Sequence, residues 1–281
     1  GLTFRADPFG FYFALIASGL WILTSLYSIG YMRGHHEKNQ TRYFARFALS
    51  LSATLGIAFS ANLLSFVVFY ELLTLATYPL VVHKGSEKAI RAARKYLAYS
   101  LSAGVLLIVA SAWVYDLTGK LAFTPGGLLS SLPAADLTAT SAWLLFLLFL
   151  VGVGVKSAVM PFHSWLPNAM VAPTPVSALL HAVAVVKSGV FALIRIVHFV
   201  FGAEVLHLHG LHYLLGFLAG FTVIVASLIA MKQDNLKRRL AYSTIGHLSY
   251  IVLGVALLSS DALVGGIFHI STHAFMKITL F

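Results

Sequence analysis

Residues 153–177 have the sequence VGVKSAVMPFHSWLPNAMVAPTPVS, in which an apolar run containing Lys156 leads into closely spaced prolines. Half of the chain's eight prolines fall here, at Pro161, Pro167, Pro173 and Pro175. Proline removes a backbone hydrogen bond from an α-helix, so this segment predicts a helix that is broken. The alternative is an ordinary loop between two helices, with a segment lying at an interface.

The composition indicates a membrane protein. Of 281 residues, 59% are hydrophobic and 10% are charged, against about 45–50% and 25% in soluble domains. Cysteine is absent, which excludes disulfides, iron–sulfur clusters and thiolate metal sites. The net charge of +10 raises nucleic-acid binding as an alternative, and the placement of the charges argues against it.

Nine apolar runs are long enough, or nearly so, to cross about 30 Å of hydrocarbon as helices. None alternates polar and apolar residues with a period of two, so barrel strands are not expected. The sequence therefore predicts an all-α membrane protein of about nine transmembrane helices, including a proline-broken helix. The runs lie at about 9–32, 44–60, 62–82, 96–115, 141–160, 175–200, 212–231, 240–258 and 263–281.

The basic residues between these runs collect on one side of the membrane. With alternating junctions, one side holds thirteen lysines and arginines and the other holds only Arg5 and Lys120. Cytoplasmic loops carry such an excess, so we expect a multi-pass protein of a bacterial or archaeal plasma membrane with its amino terminus outside. The thirteen are Arg33, Lys38, Arg42, Arg46, Lys84, Lys88, Arg91, Arg94, Lys95, Lys232, Lys237, Arg238 and Arg239.

Five charged residues lie inside the predicted spans: Glu71, Lys156, Lys187, Arg195 and Lys277. A charge at the bilayer centre costs about 2.5–3.5 kcal/mol on insertion scales, so such residues usually face the bundle interior and mark ion paths. Arg195 and Lys187 lie near a predicted helix end, where long side chains can snorkel to the interface. Breaks in transporter helices tend to lie at the ion site, which favours a functional role for Lys156.

Histidines add capacity for proton relay. His269, His273 and Lys277 are spaced by four residues, which places them on one helix face. Neutral imidazole has both a donor and an acceptor and titrates near neutral pH. His181 precedes Lys187 by six residues. Any one of these histidines could be a hydrogen-bonded core residue, and the HxxxH spacing could be half of a metal site.

Four stretches of the chain resemble one family. They are residues 156–181, FYEL at 69–72, NLKRRLAYST at 235–244 and FHISTHAFMK at 268–277. Together they look like the signature of the antiporter-like subunits of respiratory complex I, Mrp-type cation/proton antiporters and membrane-bound hydrogenases. The resemblance covers nearly the whole chain. The four stretches together are specific to this family, although any one of them alone would be weak evidence.

The resemblance implies a fold of fourteen helices with two inverted five-helix repeats, each containing a broken helix. This chain would begin at the third helix and stop inside or just after the eleventh. We therefore expect a first transmembrane helix and basic cytoplasmic loop at 1–43 and a first five-helix repeat at 44–200. A partial second repeat, truncated at its carboxyl end, would occupy 201–281.

The resemblance also implies roles for seven residues. Lys187 has a counterpart in only some members, among them the smaller complex I antiporter-like subunits and the Mrp D subunit. The other implied roles are gating acid for Glu71, proton-accepting lysine for Lys156, bridging histidine for His181, connecting pair for His269 and His273, and central lysine for Lys277.

The sequence thus predicts a proton-translocating subunit of a multisubunit membrane complex, with no cofactor or metal of its own. The D subunit of an Mrp-type monovalent cation/proton antiporter is favoured, with other membrane subunits, the lipid bilayer and protons as partners, and sodium as a second candidate ion. The alternatives in transport are a pumping subunit of complex I or a membrane-bound hydrogenase and an energy-coupling subunit of inorganic-carbon uptake. Outside transport, two alternatives remain. One is a redox subunit that binds quinone or a metal, and the other is a scaffold protein whose polar residues no longer have a function.

Overall fold

The computed structural model describes residues 1–133, 135–179 and 184–281, and these are almost entirely helical. Within them, extended segments pair only at isolated bridges, between Phe4 and Ser60 and between Asn62 and Ala122. The helices are α1 (Pro8–Gly34), α2 (Gln40–Phe59), α3 (Leu63–Val81), α4 (Glu87–Thr118), α5 (Ala139–Gly154), α6 (Trp165–Asn168), α7 (Thr174–Ala178), α8 (Val185–Arg195), α9 (Ala203–Leu208), α10 (Leu211–Met231), α11 (Leu236–Ala256) and α12 (Ser260–Leu280).

The prediction of an all-helical membrane protein is confirmed. Each predicted apolar run coincides with helix over most of its described length. Among the described residues, four helices are long and apolar enough to cross a bilayer by length and composition alone, namely α1, α3, α4 and α10. Helix α5 is apolar but only 16 residues long. The count of nine spans and the division into repeats stay predictions.

Local side-chain bonds decide where the long helices start. A helix leaves its first N–H groups without partners, and a short polar side chain before the first turn satisfies one of them. Helix α4 begins at Glu87, well before the predicted start at 96, because Ser86 accepts a hydrogen bond from the Ala89 N–H. The other residues that cap in this way are Asp7, Asn62, Thr138, Asn235 and Ser259.

The bundle has two chemically different ends. At one end, Lys84 follows α3 and Lys237 lies in the first turn of α11, and the two ammonium groups are close enough to repel each other. At the other end, Asp7 before α1 pairs with Arg195 at the end of α8, with 2.6 Å between the carboxylate oxygen and the guanidinium nitrogen. The basic loops therefore converge at one end, which we call the basic end.

Helix α8 lies at the centre of the bundle. Every residue from Val185 to Arg195 is buried, and the helix packs against α2, α3, α5 and α11. It continues into a π-helical turn at Ile196–Phe201. The sequence left open that Lys187 and Arg195 snorkel to the interface. Protein surrounds both side chains, and their exposed fractions are 0% and 1%.

Candidate functional site

The helix that carries Lys156 breaks as predicted, although earlier than hydropathy indicates. Helix α5 ends at Gly154, whereas the apolar run continues to 160. The chain then forms turns, and Ala158 adopts a left-handed conformation with φ of 54°. Short helical pieces follow, among them α6 and α7, before α8 begins at Val185.

The break is packed inside protein rather than exposed as a loop. Residues 152–160 are all buried. Irregular backbone at this depth needs partners for its N–H and C=O groups, and side chains from within the break and from two other helices supply them. These bonds run from Trp165 Nε1 to the Val155 carbonyl at 2.7 Å, from the Met160 N–H to Thr222 Oγ1 at 3.1 Å, and from Lys237 Nζ to the Ala172 carbonyl at 2.8 Å.

Glu71 and Lys156 meet across this break. Glu71 lies on α3, and its Oε1 atom is 3.9 Å from the Nζ atom of Lys156. Lys156 is fully buried. Its ammonium also donates to the Tyr70 carbonyl and lies 3.4 Å from the centroid of the Tyr70 ring. A gap of 3.9 Å is too long for a hydrogen bond, so carboxylate and ammonium attract each other without being locked together.

A glycine makes room for the Glu71 carboxylate. A Cβ atom at Gly104 on α4 would lie 2.6 Å from Glu71 Oε1 and 2.9 Å from Oε2. Both oxygens are buried, and among the described residues neither accepts a hydrogen bond. Burying a charge without hydrogen bonds is costly, so this carboxylate depends on Lys156 for its electrostatic stabilisation.

A second glycine brings the break against α8. A Cβ atom at Gly189 would lie 2.8 Å from the Cα atom of Ser157. Only a residue without a side chain permits such a close approach of two backbones. The backbone that follows Lys156 therefore touches α8 within one turn of Lys187.

Lys187 continues the row of ionisable groups towards α12. Its Nζ atom contacts the Nδ1 atom of His273, which is also fully buried. The His273 ring stacks on His247 of α11, with 5.1 Å between centroids. Nδ1 of His247 in turn lies 3.1 Å from Nε2 of His269. The predicted pair His269 and His273 thus shares one cluster with Lys187 and His247.

His247 is a site residue that the sequence prediction missed. It lies three residues beyond the NLKRRLAYST stretch, as a polar residue in a largely apolar run. A single polar residue in an apolar run was the only indication in the sequence that His247 belongs to the site. Its position between two other imidazoles depends on the packing of α11 against α12.

Lys277 lies one turn along α12 from His273, as its spacing predicts, and is 1% exposed. Its Nζ atom donates to Ser243 Oγ at 2.8 Å and to the Leu240 carbonyl at 3.4 Å. Both acceptors are neutral groups on α11, so the ammonium is solvated by dipoles.

Two residues singled out from the sequence, His181 and Arg195, are not among the contacts of this row in the described part of the chain. His181 lies outside the described residues. Arg195 stands apart from the row, since it binds Asp7 and is surrounded by phenylalanine rings. Its guanidinium carbon lies between 4.7 and 5.5 Å from the centroids of Phe9, Phe123, Phe191 and Phe199.

The site therefore consists of two groups of ionisable side chains joined by a backbone contact. The three lysines and His273 are buried, and Glu71, His247 and His269 are half-buried. Glu71 and Lys156 form the first, and Lys187, the three histidines and Lys277 form the second. Amines and imidazoles in neighbouring positions can accept and donate protons in turn. In the described part of the chain, no three histidine or carboxylate side chains are arranged to hold a metal ion.

Comparison with known proteins gives matches over the whole chain. The profile of the family "NADH:quinone oxidoreductase/Mrp antiporter, TM" matches residues 60–281. A second profile, "NADH-Ubiquinone oxidoreductase (complex I), chain 5 N-terminus", matches residues 1–44. The predicted resemblance is confirmed by both.

Individual relatives come from both branches. A probable K+/H+ antiporter A/B subunit of Rhizobium meliloti (strain 1021) is 34% identical over 280 residues, which cover 99% of this chain and 27% of that protein. The NAD(P)H-quinone oxidoreductase chain 5 of Synechocystis sp. is 33% identical over 270 residues, which cover 95% of this chain and 38% of that protein. The chain thus spans well under half the length of these relatives.

The fold is also found in a solved structure. A chain of the Mrp complex from Dietzia sp. DQ12-45-1b superimposes with a TM-score of 0.87 at 29% identity, covering 99% of this chain and 29% of that one. The break, the buried lysines and the histidine cluster therefore lie on an established membrane scaffold. Because the first profile alone spans most of the chain, this protein belongs to the NADH:quinone oxidoreductase/Mrp antiporter membrane family.

Proposed function

We propose that this chain translocates protons as one subunit of a multisubunit membrane complex. The observation that carries the proposal is the Glu71–Lys156 pair, in which a fully buried lysine lies 3.9 Å from a carboxylate at a break in its helix. An ammonium group is not retained in such a place for stability alone, because its desolvation is expensive.

The first step follows from the charges. While Glu71 is ionised and near, its field stabilises the ammonium form of Lys156. When the carboxylate is protonated or turns away, the ammonium is left buried without a counter-charge, and its proton leaves. The long contact and the absence of hydrogen bonds to Glu71 among the described residues support a carboxylate that can change state.

The second step takes the proton towards α12. We propose that the proton next reaches Lys187, which lies within one turn of the contact between the break and Gly189, and that His273 accepts it from Lys187. Lys277 follows one turn further along α12, with His247 and His269 as adjoining relay groups. His181 remains a proposed bridge between Lys156 and Lys187.

The favoured setting is an Mrp-type cation/proton antiporter, with this chain in the place of the Mrp D subunit. The likeness to an Mrp complex and to a K+/H+ antiporter protein supports it, as does the presence of Lys187. The quinone oxidoreductase relatives keep a complex I-type pumping subunit as the second candidate. In either setting we propose other membrane subunits as partners, the basic end in the cytoplasm and the amino terminus outside.

Proton flux in proteoliposomes tests the proposal. The assembly that contains this chain is reconstituted with a pH-sensitive dye inside, and a gradient of potassium or sodium, or a quinone and its reductant, is applied. Lys156→Met should abolish flux, whereas Lys120→Met, at an exposed loop position, should leave it unchanged. Undiminished flux in assembled Lys156→Met complexes would refute the role of the pair. Proton flux that depends on the cation gradient would indicate the antiporter, and flux that depends on the reductant would indicate the complex I-type subunit.

A further inference from the structure

A cavity of about 260 Å³ opens between the start of α2 and the end of α3, at the basic end of the bundle. It is separate from the candidate site formed by the buried lysines, Glu71 and the histidine cluster. One wall belongs to α2 and includes Arg42 and Arg46, and the other includes Tyr78, Leu80, Val82 and His83. The two arginines are four residues apart, so both extend from one face of α2.

The charge of this cavity is uncompensated. Among the described residues, neither guanidinium group takes part in an ion pair or a side-chain hydrogen bond. None of the described residues that line the cavity is an aspartate or glutamate. Glu37 lies near His83, with 3.7 Å between Oε2 and Nε2, and forms no ion pair with either arginine. Among the described residues, the two arginines therefore face this space without a paired carboxylate.

The start of α2 adds a further positive contribution. Asn39 precedes the first turn and lines the cavity, and its side chain accepts no hydrogen bond from the helix. The first N–H groups of α2 are thus left without a side-chain cap, and the helix dipole places partial positive charge there. This effect alone would not define a site, but it has the same sign as the guanidinium groups beside it.

The other wall determines what kind of anion fits. Pro79 and Val82 present apolar surface, and Tyr78 presents a ring with a polar tip. An inorganic ion would leave this wall unused. A molecule with an anionic head and an apolar body would use both walls, and basic pockets between transmembrane helices suit lipid headgroups of this kind.

We propose that this cavity binds an anionic phospholipid, with Arg42 and Arg46 holding its phosphate. Guanidinium groups match phosphate oxygens in geometry and charge. The glycerol and the first methylene groups of the lipid would lie along Pro79 and Val82. Inorganic phosphate carries the same anionic group as the lipid head, so the experiment must distinguish binding of the lipid from binding of free phosphate.

The test measures lipid binding to the intact protein, with the subunits that accompany it, in detergent micelles. The probes are phosphatidylglycerol, phosphatidylcholine and inorganic phosphate, followed by native mass spectrometry and by thermal stabilisation. Phosphatidylglycerol should be retained and should raise the melting temperature more than phosphatidylcholine does. The double variant Arg42→Gln/Arg46→Gln should lose about 30-fold in affinity for phosphatidylglycerol, corresponding to about 2 kcal/mol at about 1 kcal/mol per basic residue.

A matched variant controls for loss of surface charge. Arg91→Gln/Arg94→Gln removes two exposed arginines from α4, at the same end of the bundle but outside the cavity, and should bind the lipid normally. Arg42→Lys/Arg46→Lys keeps the charge and should bind better than the glutamine pair. Equal loss in the α4 variant would show general attraction to a basic surface and would overturn the site. Stabilisation by inorganic phosphate equal to that by phosphatidylglycerol would overturn the lipid assignment.

Discussion

Lys187 on α8 contacts the Nδ1 atom of His273 on α12, although 86 residues separate them in the chain. When Lys187 is an ammonium, Nδ1 must act as acceptor and the ring proton must lie on Nε2. The Nε2 atom is buried, and among the described residues it has no hydrogen-bond partner. A second proton on this ring would face a lysine on one side and be uncompensated on the other. The imidazole is therefore suited to pass a proton rather than hold one.

Replacing His273 should interrupt this transfer. His273→Gln keeps a polar side chain of similar reach but cannot accept and release a proton. We expect proton flux in proteoliposomes to fall about a hundredfold or more, because a positioned general acid or base typically contributes about 10²–10⁴-fold. His207→Gln, in α9 at the end opposite the basic loops, serves as the control. Equal flux in both variants would show that protons bypass the cluster.

The Glu71–Lys156 pair should show energetic coupling. In a double-mutant cycle with Glu71→Gln and Lys156→Met, groups in direct contact give coupling energies of about 0.5–3 kcal/mol. The free energies come from thermal unfolding of the two single variants, the double variant and the unaltered protein, because Lys156→Met is expected to abolish flux. Additive effects would mean that the two residues act independently, which would remove the proposed switch.

Gly104→Ala should displace the carboxylate of Glu71 by direct contact. The added methyl group would lie 2.6 Å from Glu71 Oε1, so the carboxylate must move. We expect slower flux with little loss of helix stability, because alanine is the better helix former. Gly220→Ala on α10, where nothing lies within 4 Å, is the matched control. If both variants transport alike, the position of the carboxylate does not matter.

The pair of Asp7 and Arg195 should matter for stability. Asp7→Asn leaves a buried guanidinium without its counter-charge, which typically costs about 3 kcal/mol. Thermal melting of the purified protein measures the loss, and Asp116→Asn, at an exposed position of α4, provides the reference. Asp7→Asn/Arg195→Leu should recover much of the stability, because no buried charge remains and asparagine can still cap α1. A melting temperature unchanged by Asp7→Asn would contradict the burial of this pair.

His83 predicts a pH effect at the basic end. Burial lowers the pKa of His83 below its ordinary value of 6.5, and Glu37 offsets part of this effect. The unfolded chain therefore takes up this proton at a higher pH than the folded one, and stability falls as the pH drops below about 6.5. The melting temperature should decrease more between about pH 7.5 and 5.5 in the unaltered protein than in His83→Gln. Identical pH profiles would show that His83 has its ordinary pKa.

The ionisable residues of the site could be predicted because each is conspicuous by itself. A lysine or glutamate in an apolar run is costly wherever the run lies in the membrane, and this needs no knowledge of neighbours. Lys156, Glu71 and Lys277 were found in this way, and the structure places all three inside the bundle. The spacing of four residues between His269, His273 and Lys277 also predicted that they lie on one face of a helix.

The remaining features depend on contacts between distant parts of the chain. The ion pair of Arg195 could not be predicted because its partner, Asp7, lies 188 residues away. The end of α5 was placed too late because Val155, Ala158 and Val159 are as apolar as the helix before them. Hydropathy does not register the backbone change at Ala158.

The complete enclosure of α8 also restricts how this protein can evolve. Adding one residue between Lys187 and Arg195 would rotate one end of the helix by about 100° relative to the other. Lys187 could then no longer meet His273 while Arg195 still met Asp7. Insertions and deletions that separate this chain from its relatives should consequently spare 185–195 and accumulate in the surface loops, where a change in length disturbs no buried register.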